Sequence, residues 1–292
     1  MKAEKKRAGI KAQIRAEKER GRRVATAIIL AIILASAALS AYFGYTILDP
    51  STPLSSIEPA LQFKPENPNP KLKAAIVDQL SLTAPNETFT QTAAAILTQA
   101  NYTVDYFSGE KVTVNFFRNL PTGGYKLIIL RVHSAIGPED NPPLALFTSE
   151  PLDSRKHVDE QLTDQLQGVV FLPYRPGDKT YFGIPPKFIE TSMKGELSNS
   201  VVIAMGCDGL TYTDMAQAFI EKGARAYVSW NGSVSSSHTD QAATQLLKHL
   251  VTEGQTISQA VENTAREVGP DEAYNSILKC YPLASGNYAI QG

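Results

Sequence analysis

Residues 201–208 read VVIAMGCD, and this stretch indicates the fold class. A run of apolar and β-branched residues followed at once by Gly-Cys-Asp is typical of a buried core strand that ends at a turn. Strands that are apolar on both faces occur mainly in parallel sheets covered by helices, and ligands bind beyond their carboxyl ends. The stretch therefore predicts that Cys207, one of only two cysteines, lies at the functional edge of an α/β sheet.

The flanking sequence alternates between strand and helix patterns. Further strands are predicted at 74–80, 102–107, 127–133 and 224–230, and helices at 113–120, 213–222, 239–252 and 256–268. Asn86 is predicted to cap another helix, whose inner face includes Phe89 and Leu97. Residues 138–200 interrupt the alternation, with a hairpin near 144–147, a helix at 158–167, a strand at 169–172 and a loop over 174–188. We expect an α/β domain with a mostly parallel sheet flanked by helices on both faces.

The net charge of −1 is unevenly distributed along the chain. Residues 1–23 carry ten Lys/Arg and three Asp/Glu, and residues 24–48 contain no charged side chain. At ~1.5 Å per residue, a helix over 24–48 would be about 37 Å long, which exceeds the ~30 Å hydrocarbon core of a bilayer. The positive-inside rule keeps the basic tail in the cytoplasm and places residues 49–292 outside. We expect a single-pass membrane protein; a secretory signal cleaved after Ala35-Ser36-Ala37 is the alternative.

A linker and one folded domain follow the predicted transmembrane helix. Six of the 22 residues at 49–70 are proline, a composition typical of an extended spacer. The domain is expected to occupy residues 71–292. Glycosylation acceptor patterns that begin at Asn86, Asn101 and Asn231 agree with an outside location. The adjacent span explains the basic tail, so the expected partners are the lipid bilayer and not a nucleic acid.

Two predicted strands end on a reactive side chain. Residues 127–132 lead into His133, and residues 201–206 lead into Cys207. Adjacent strands lie about 4.8 Å apart, so the two side chains would emerge side by side if these strands are neighbours. A thiol with a pKa of about 8.5 is a weak nucleophile until a base takes its proton. The pair therefore predicts a cysteine hydrolase in which His133 is the base.

The pairing of LIILRVHSAIG (127–137) with VVIAMGCDGLTYTDMAQAFIEKGARAYVSWNGSV (201–234) resembles the caspase-like cysteine peptidases, which include caspases, gingipains and CHAT domains. The CHAT branch is the most similar. In this family a His follows one core strand, the nucleophilic Cys follows the next, and a helix of the form A-x-x-F-x-x-x-G-A comes after the Cys. Here the last pattern is Ala216, Phe219, Gly223 and Ala224, followed by a strand closing on Trp230. The resemblance covers about residues 71–268.

This resemblance implies a caspase-like three-layer fold and an endopeptidase that acts on a peptide or protein substrate. Cys207 would attack the peptide carbonyl, and His133 would act as general base. Backbone NH groups of Gly137 and Cys207 would hold the oxyanion. The substrate pocket would be lined by Asp208, Ser229 and Trp230.

Departures from the family pattern leave a second function open. The family usually has Gly close after the His, where this chain has Ser134-Ala135-Ile136. Met205-Gly206 stand before the Cys, where Ser-Ala or Gln-Ala is commoner. These departures favour the alternative of a catalytically inactive caspase-like domain that serves as a binding or assembly module.

The remaining candidates have structural interpretations beside functional ones. A Cys207–Cys280 disulfide is an alternative, because thiols outside the cell often pair; otherwise Cys280 is interpreted as a partly buried structural thiol. Asp78 and Asp208 would either orient the dyad, select a basic substrate residue, or simply cap a turn. His238 is interpreted as a residue of the helix entry and not as the base.

Motifs for metals and cofactors do not occur in the chain. There is no Cys-x-x-Cys, no His-Glu-x-x-His and no carboxylate loop with calcium spacing. No Gly-rich phosphate loop opens a helix, and no Ser lies in a Gly-x-Ser-x-Gly turn. We therefore expect neither a metal nor a cofactor, and a serine hydrolase is disfavoured.

Overall fold

The computed structural model describes residues 57–66, 72–137, 143–171 and 178–290. All of them belong to one structural unit, Ser56–Gly292. Within these ranges no helix is both long enough and apolar enough to cross a bilayer. The predicted basic tail (1–23), the predicted transmembrane helix (24–48) and much of the predicted linker (49–70) lie outside the described residues.

The strands and helices are numbered in chain order. The strands are β1 (Leu61–Phe63), β2 (Leu72–Asp78), β3 (Tyr102–Ser108), β4 (Leu127–Arg131), β5 (Ser134–Ile136), β6 (Leu144–Pro151), β7 (Gln167–Val169), β8 (Tyr181–Ile184), β9 (Val201–Ala204), β10 (Ala226–Trp230) and β11 (Leu278–Tyr281). The helices are α1 (Glu87–Gln99), α2 (Val114–Asn119), α3 (Val158–Leu162), α4 (Pro186–Thr191), α5 (Asp214–Glu221), α6 (Ser236–Leu247) and α7 (Ile257–Val268). A 3-10 turn at Gln79–Leu82 follows β2, and a π-helical turn at Lys248–Thr252 continues α6.

The main sheet has seven strands in the order β1-β3-β2-β4-β9-β10-β11. The five inner strands run parallel to one another, and the two edge strands, β1 and β11, pair antiparallel with β3 and β10. Parallel neighbours need crossover connections, which helices supply here. The predicted α/β architecture with a mostly parallel sheet is confirmed.

Core side chains alternate between the two faces of this sheet. Along β4, Ile128 and Leu130 pack into a cluster with residues of α2, α4 and α5. Leu127 and Ile129 pack into a second cluster with residues of α1, α6 and α7. Because β4 is apolar on both faces, it is stable only where both faces are covered.

A smaller sheet interrupts the alternation between β4 and β9. Its four strands pair antiparallel in the order β5-β6-β8-β7. The predicted loop over 174–188 is wrong in its second half. There Tyr181–Ile184 form β8, and α4 (Pro186–Thr191) begins. The apolar run in β8 is only a few residues long and is flanked by Pro, which hid its pattern, although Phe182 and Ile184 are fully buried.

The two edge strands of the main sheet were not predicted. Leu61–Phe63 lie within the Pro-rich segment assigned to the linker, yet they pair with β3. Leu278–Tyr281 pair with β10 near the end of the chain. Edge strands are short and partly exposed, so their hydrophobic pattern is weak; Leu61, for example, is 57% exposed.

The helix cap predicted at Asn86 is present. The Asn86 side-chain oxygen accepts a hydrogen bond from the Phe89 NH at 3.0 Å, at the start of α1. A reciprocal capping box formed by Thr256 and Gln259 at the start of α7 adds a second cap. Gly223 has a positive φ of 101° after α5, a conformation that favours glycine.

Candidate functional site

The ends of β4 and β9 bring the backbones of His133 and Cys207 to the same edge of the sheet. β4 and β9 are parallel neighbours, and Leu130 pairs with Ala204 at the end of the register. His133 and Cys207 each follow this pair by three residues. The Ser134 hydroxyl donates a hydrogen bond to the Cys207 carbonyl at 2.6 Å. The segment that carries the imidazole is thus bonded directly to the residue that carries the thiol.

Gly206 permits this close approach of the two segments. A Cβ atom at this position would lie 2.5 Å from the Val132 carbonyl oxygen and would also overlap the Ser134 hydroxyl. Any side chain would push the two strand ends apart, because the Val132 backbone cannot move without disturbing β4. Glycine at position 206 therefore has a packing reason in this chain.

The imidazole of His133 lies in a partly buried, aromatic environment. Its Nε2 is 2.9 Å from the Thr83 hydroxyl oxygen, and its backbone NH donates to the Gln79 side-chain oxygen at 3.1 Å. The rings of Phe147 and Phe171 lie 5.9 and 4.9 Å from its centroid. Burial lowers the pKa of His133 from its usual value of 6.5, and the positive charge of Arg131 lowers it further. The imidazole is therefore uncharged at neutral pH.

The thiol of Cys207 is also partly buried, and it contacts the backbone of Val234. The Val234 NH donates to Sγ at 3.4 Å, and Sγ lies 3.7 Å from the Val234 carbonyl oxygen. Burial raises the pKa of the Cys207 thiol above its usual range; the Val234 hydrogen bond opposes this shift, and the Asp208 carboxylate adds to it. The hydrogen bonds of the two candidate side chains thus go to different partners, Thr83 for the imidazole and Val234 for the sulfur.

Both cysteines are free thiols in this structure. Cys280 lies opposite Val228 in the β10–β11 pair and packs against the core cluster on the α1, α6 and α7 side. The alternative of a Cys207–Cys280 disulfide is therefore not what the structure contains, and Cys280 has the position expected of a partly buried structural thiol.

The residues predicted for the substrate pocket lie in different environments. Asp208 follows the thiol in a left-handed conformation with a φ of 60°. Its carboxylate accepts hydrogen bonds from the hydroxyls of Thr211 at 3.0 Å and Ser233 at 3.4 Å. Of the three predicted pocket residues, Asp208 alone is partly exposed.

Ser229 and Trp230 point into the core of the domain. Ser229 is completely buried, and its hydroxyl donates to the Ala204 carbonyl at 2.7 Å. Trp230 is 2% exposed, and its Nε1 donates to the Thr239 hydroxyl at 2.9 Å. A substrate would reach these side chains only if α6 or the loop after β9 moved. Gly137, predicted for the oxyanion hole, follows β5 directly and is partly exposed.

A buried ionic network lies beside the site. Arg131, at the end of β4, is 1% exposed and pairs with Asp78 and Asp240, each at 2.7 Å. The Tyr106 hydroxyl donates to Asp78 at 3.2 Å, and the Asn86 amide donates to Asp240 at 2.8 Å. Burial raises the pKa of Asp78, Arg131 opposes the shift, and the nearby charge of Asp240 adds to it. Two carboxylates thus share one guanidinium. Asp78 can influence the candidate site through its contact with Arg131.

The sequence carries one local signal for this network. A charged residue, Arg131, directly follows four buried apolar residues in β4, and Asp78 occupies the same register in β2. Charges at such positions need partners, because a buried charge without one is strongly destabilising. The partner Asp240 is 109 residues from Arg131 along the chain and has no distinguishing local pattern.

The described residues contain no group of three or more His, Cys, Asp or Glu side chains that could hold a metal ion. No protein-family model and no curated protein matches this chain. The fold and the site therefore define a class by geometry alone, namely an α/β domain with a thiol and an imidazole at the ends of two adjacent parallel strands.

Proposed function

We propose that this protein is a cysteine peptidase of the caspase-like type, anchored in the membrane by residues 24–48 and facing outward. The observation that carries the proposal is the Ser134–Cys207 hydrogen bond together with the β4–β9 register. These contacts support the idea that His133 and Cys207 act on one substrate atom. The caspase-like three-layer fold, with a His after one core strand and the Cys after its neighbour, is part of the same proposal.

In this mechanism both reacting groups start uncharged. The raised pKa of Cys207 and the lowered pKa of His133 favour a neutral thiol and a neutral imidazole. As the sulfur attacks the peptide carbonyl carbon, its proton moves to His133, which later delivers it to the leaving amine. Water then hydrolyses the thioester and returns a carboxylic acid and the free thiol. General-base catalysis is thus favoured over a preformed thiolate–imidazolium ion pair.

The oxyanion and the substrate need further groups. The NH groups of Gly137 and Cys207 are proposed to stabilise the developing negative charge on the carbonyl oxygen. Asp208 is proposed to lie at the substrate pocket, where a carboxylate would favour a basic side chain. Ser229 and Trp230 would support the floor of that pocket from within the core.

A catalytically inactive binding or assembly module is the second candidate. The observation that favours it is the raised pKa of the Cys207 thiol together with the separate hydrogen-bond partners of the thiol and the imidazole. A nucleophile without an engaged base reacts slowly at neutral pH.

Labelling with a peptidyl electrophile that mimics an acyl group separates the two candidates. A peptidase should add one probe molecule at Cys207, and the reaction should be abolished in Cys207→Ala and strongly slowed in His133→Ala. Cys280→Ser is the matched control, because it removes the other thiol and should react like the parent chain. Equal labelling of both cysteines, or labelling unaffected by His133→Ala, would favour the inactive module.

A further inference from the structure

The 78–84 segment, which connects β2 to the start of α1, contacts His133 at two points. The Thr83 hydroxyl oxygen lies 2.9 Å from the imidazole Nε2. The Gln79 side-chain oxygen accepts the His133 backbone NH at 3.1 Å. One segment therefore constrains both the backbone and the ring of the proposed base.

Arg131 holds this segment at both of its ends. Its NH1 donates to the Asp78 carboxylate at 2.7 Å, and its NH2 donates to the Ala84 carbonyl at 2.8 Å. Within the segment, the Ser81 hydroxyl donates to the Asp78 carbonyl at 2.8 Å. Because Arg131 lies only two residues before His133, the segment and the imidazole are attached to the same strand end.

The guanidinium has little freedom to move. Its Nε and NH2 donate to the two oxygens of Asp240 at 2.7 and 2.8 Å, so the contact with α6 is bidentate. It also lies 5.6 Å from the Phe89 ring of α1. The 78–84 segment is thus fixed by a buried, multiply bonded side chain and not by solvent-exposed contacts.

A neutral imidazole donates through one ring nitrogen and accepts through the other. The contact with Thr83 occupies Nε2, which leaves Nδ1 as the nitrogen for the thiol proton. Nδ1 can accept that proton only when the ring proton is on Nε2, and in that tautomer the Thr83 hydroxyl oxygen accepts the Nε2–H.

We propose that Thr83 is the positioning residue of His133, accepting its Nε2–H and leaving Nδ1 as the nitrogen that takes the proton of Cys207. The Nε2–H tautomer and the assignment of Nδ1 as the base both rest on the proposed function, whereas the contact between Thr83 and the ring does not. Thr83 acts through His133 and does not touch the reacting atoms. Its hydroxyl is exposed on the segment, so it can be replaced without disturbing the core.

The tautomer of His133 tests the proposal directly. The full-length chain is labelled with ¹⁵N-histidine, purified in mild detergent and examined by two-bond ¹H–¹⁵N correlation, which distinguishes the neutral tautomers. His133→Ala assigns the His133 signals among the four histidines. Thr83→Val removes the hydroxyl at nearly constant shape, Thr83→Ser retains it, and Thr98→Val, which loses only a hydroxyl bonded to the Ala95 carbonyl, is the matched control.

The expected result is an Nε2–H tautomer in the parent chain, Thr83→Ser and Thr98→Val, and a mixture of tautomers in Thr83→Val. The rate of probe addition to Cys207 should fall about fivefold in Thr83→Val, the ratio that one neutral hydrogen bond typically contributes, and Thr83→Ser should restore it. An Nδ1–H tautomer in the parent chain, or no change in Thr83→Val, overturns the proposal. If the tautomer responds as expected but Cys207 takes no probe, Thr83 keeps its positioning role and the peptidase proposal fails.

Discussion

His133 and Cys207 lie at the ends of adjacent strands, and their surroundings push both side chains toward the uncharged form. Burial and the positive charge of Arg131 disfavour the imidazolium. Burial and the neighbouring carboxylate of Asp208 disfavour the thiolate. An ion pair between the two side chains would have to overcome both effects, so a proton transfer coupled to substrate attack is the simpler course.

We therefore expect the thiol of Cys207 to lose its proton at a higher pH than an ordinary cysteine. In a Cys280→Ser background, the alkylation rate of Cys207 by iodoacetamide should rise with pH and reach half of its maximum at a higher pH than for a cysteine in a short unfolded peptide, because burial raises the thiol pKa. The measurement is the rate of mass gain as a function of pH, with the peptide in parallel. A midpoint at or below that of the peptide would instead indicate a stabilised thiolate and would contradict the neutral pair.

Arg131 connects three secondary-structure elements that are distant in sequence. Its guanidinium at the end of β4 bonds Asp78 at the end of β2 and Asp240 in α6. The Asn86 side chain extends the connection by capping α1 and donating to Asp240. The edge of the sheet that carries the candidate site is thus held by buried charge pairs in addition to apolar packing.

Removal of the guanidinium should strongly destabilise the domain. Arg131→Met leaves two buried carboxylates without their cation, and we expect the free energy of unfolding to fall by about 3–5 kcal/mol. Asp78→Asn should cost less, because the amide oxygen can still accept from Arg131 and one of the two negative charges is lost. Urea denaturation followed by circular dichroism measures both changes.

Arg155→Met is the control for this prediction. Arg155 pairs with Asp153 on the surface, and its side chain is 88% exposed, so solvent screens the pair and no measurable change is expected. If Arg131→Met were as stable as Arg155→Met, the network would contribute nothing to the fold, and its role in holding the 78–84 segment would also be in doubt.

The inner strands and the long helices could be predicted because their signals are local. Leu127–Arg131 and Val201–Ala204 are apolar at every position before the charge or turn, and Asn86 and Thr256 are cap residues in sequence. The edge strands and β8 could not be predicted in this way, because their pairing depends on neighbouring strands that supply hydrogen bonds and on residues that cover one face. The strand that leads into His133 ends two residues earlier than predicted, and the strand that leads into Cys207 ends three residues before the cysteine. The apolar residues Val132 and Met205 continue the apolar run past the true strand ends.

For the whole molecule, the predicted membrane anchor remains a prediction. The apolar stretch at 24–48 and its basic flank indicate an anchored chain with the domain outside. The outward orientation would give the proposed peptidase access to substrates on the outer side of the membrane.

The full-length chain should remain in the membrane pellet after alkaline carbonate extraction, because a transmembrane helix is not released by loss of charge contacts. Protease added to intact cells should digest the domain that begins near residue 56. The control is a variant with Ile33→Arg and Leu34→Arg, which places two charges in the apolar stretch and should reduce insertion. Recovery of the parent chain in the carbonate supernatant, or a domain protected from added protease, would contradict the anchored, outward-facing topology.

Local signals in the sequence were enough to predict the α/β class, the parallel strands and the position of His133 and Cys207 after two of them. These properties follow from apolar periodicity and turn residues, which act over a few neighbouring positions. The groups that surround the two side chains, in contrast, are brought together by the tertiary fold. Thr83 meets His133 across 50 residues and Asp240 meets Arg131 across 109, and such contacts depend on strand order and loop path. The burial of Trp230 under α6 on one face of the sheet, and of Ser229 beside Gly209 on the other, likewise comes from tertiary packing, which no local pattern encodes.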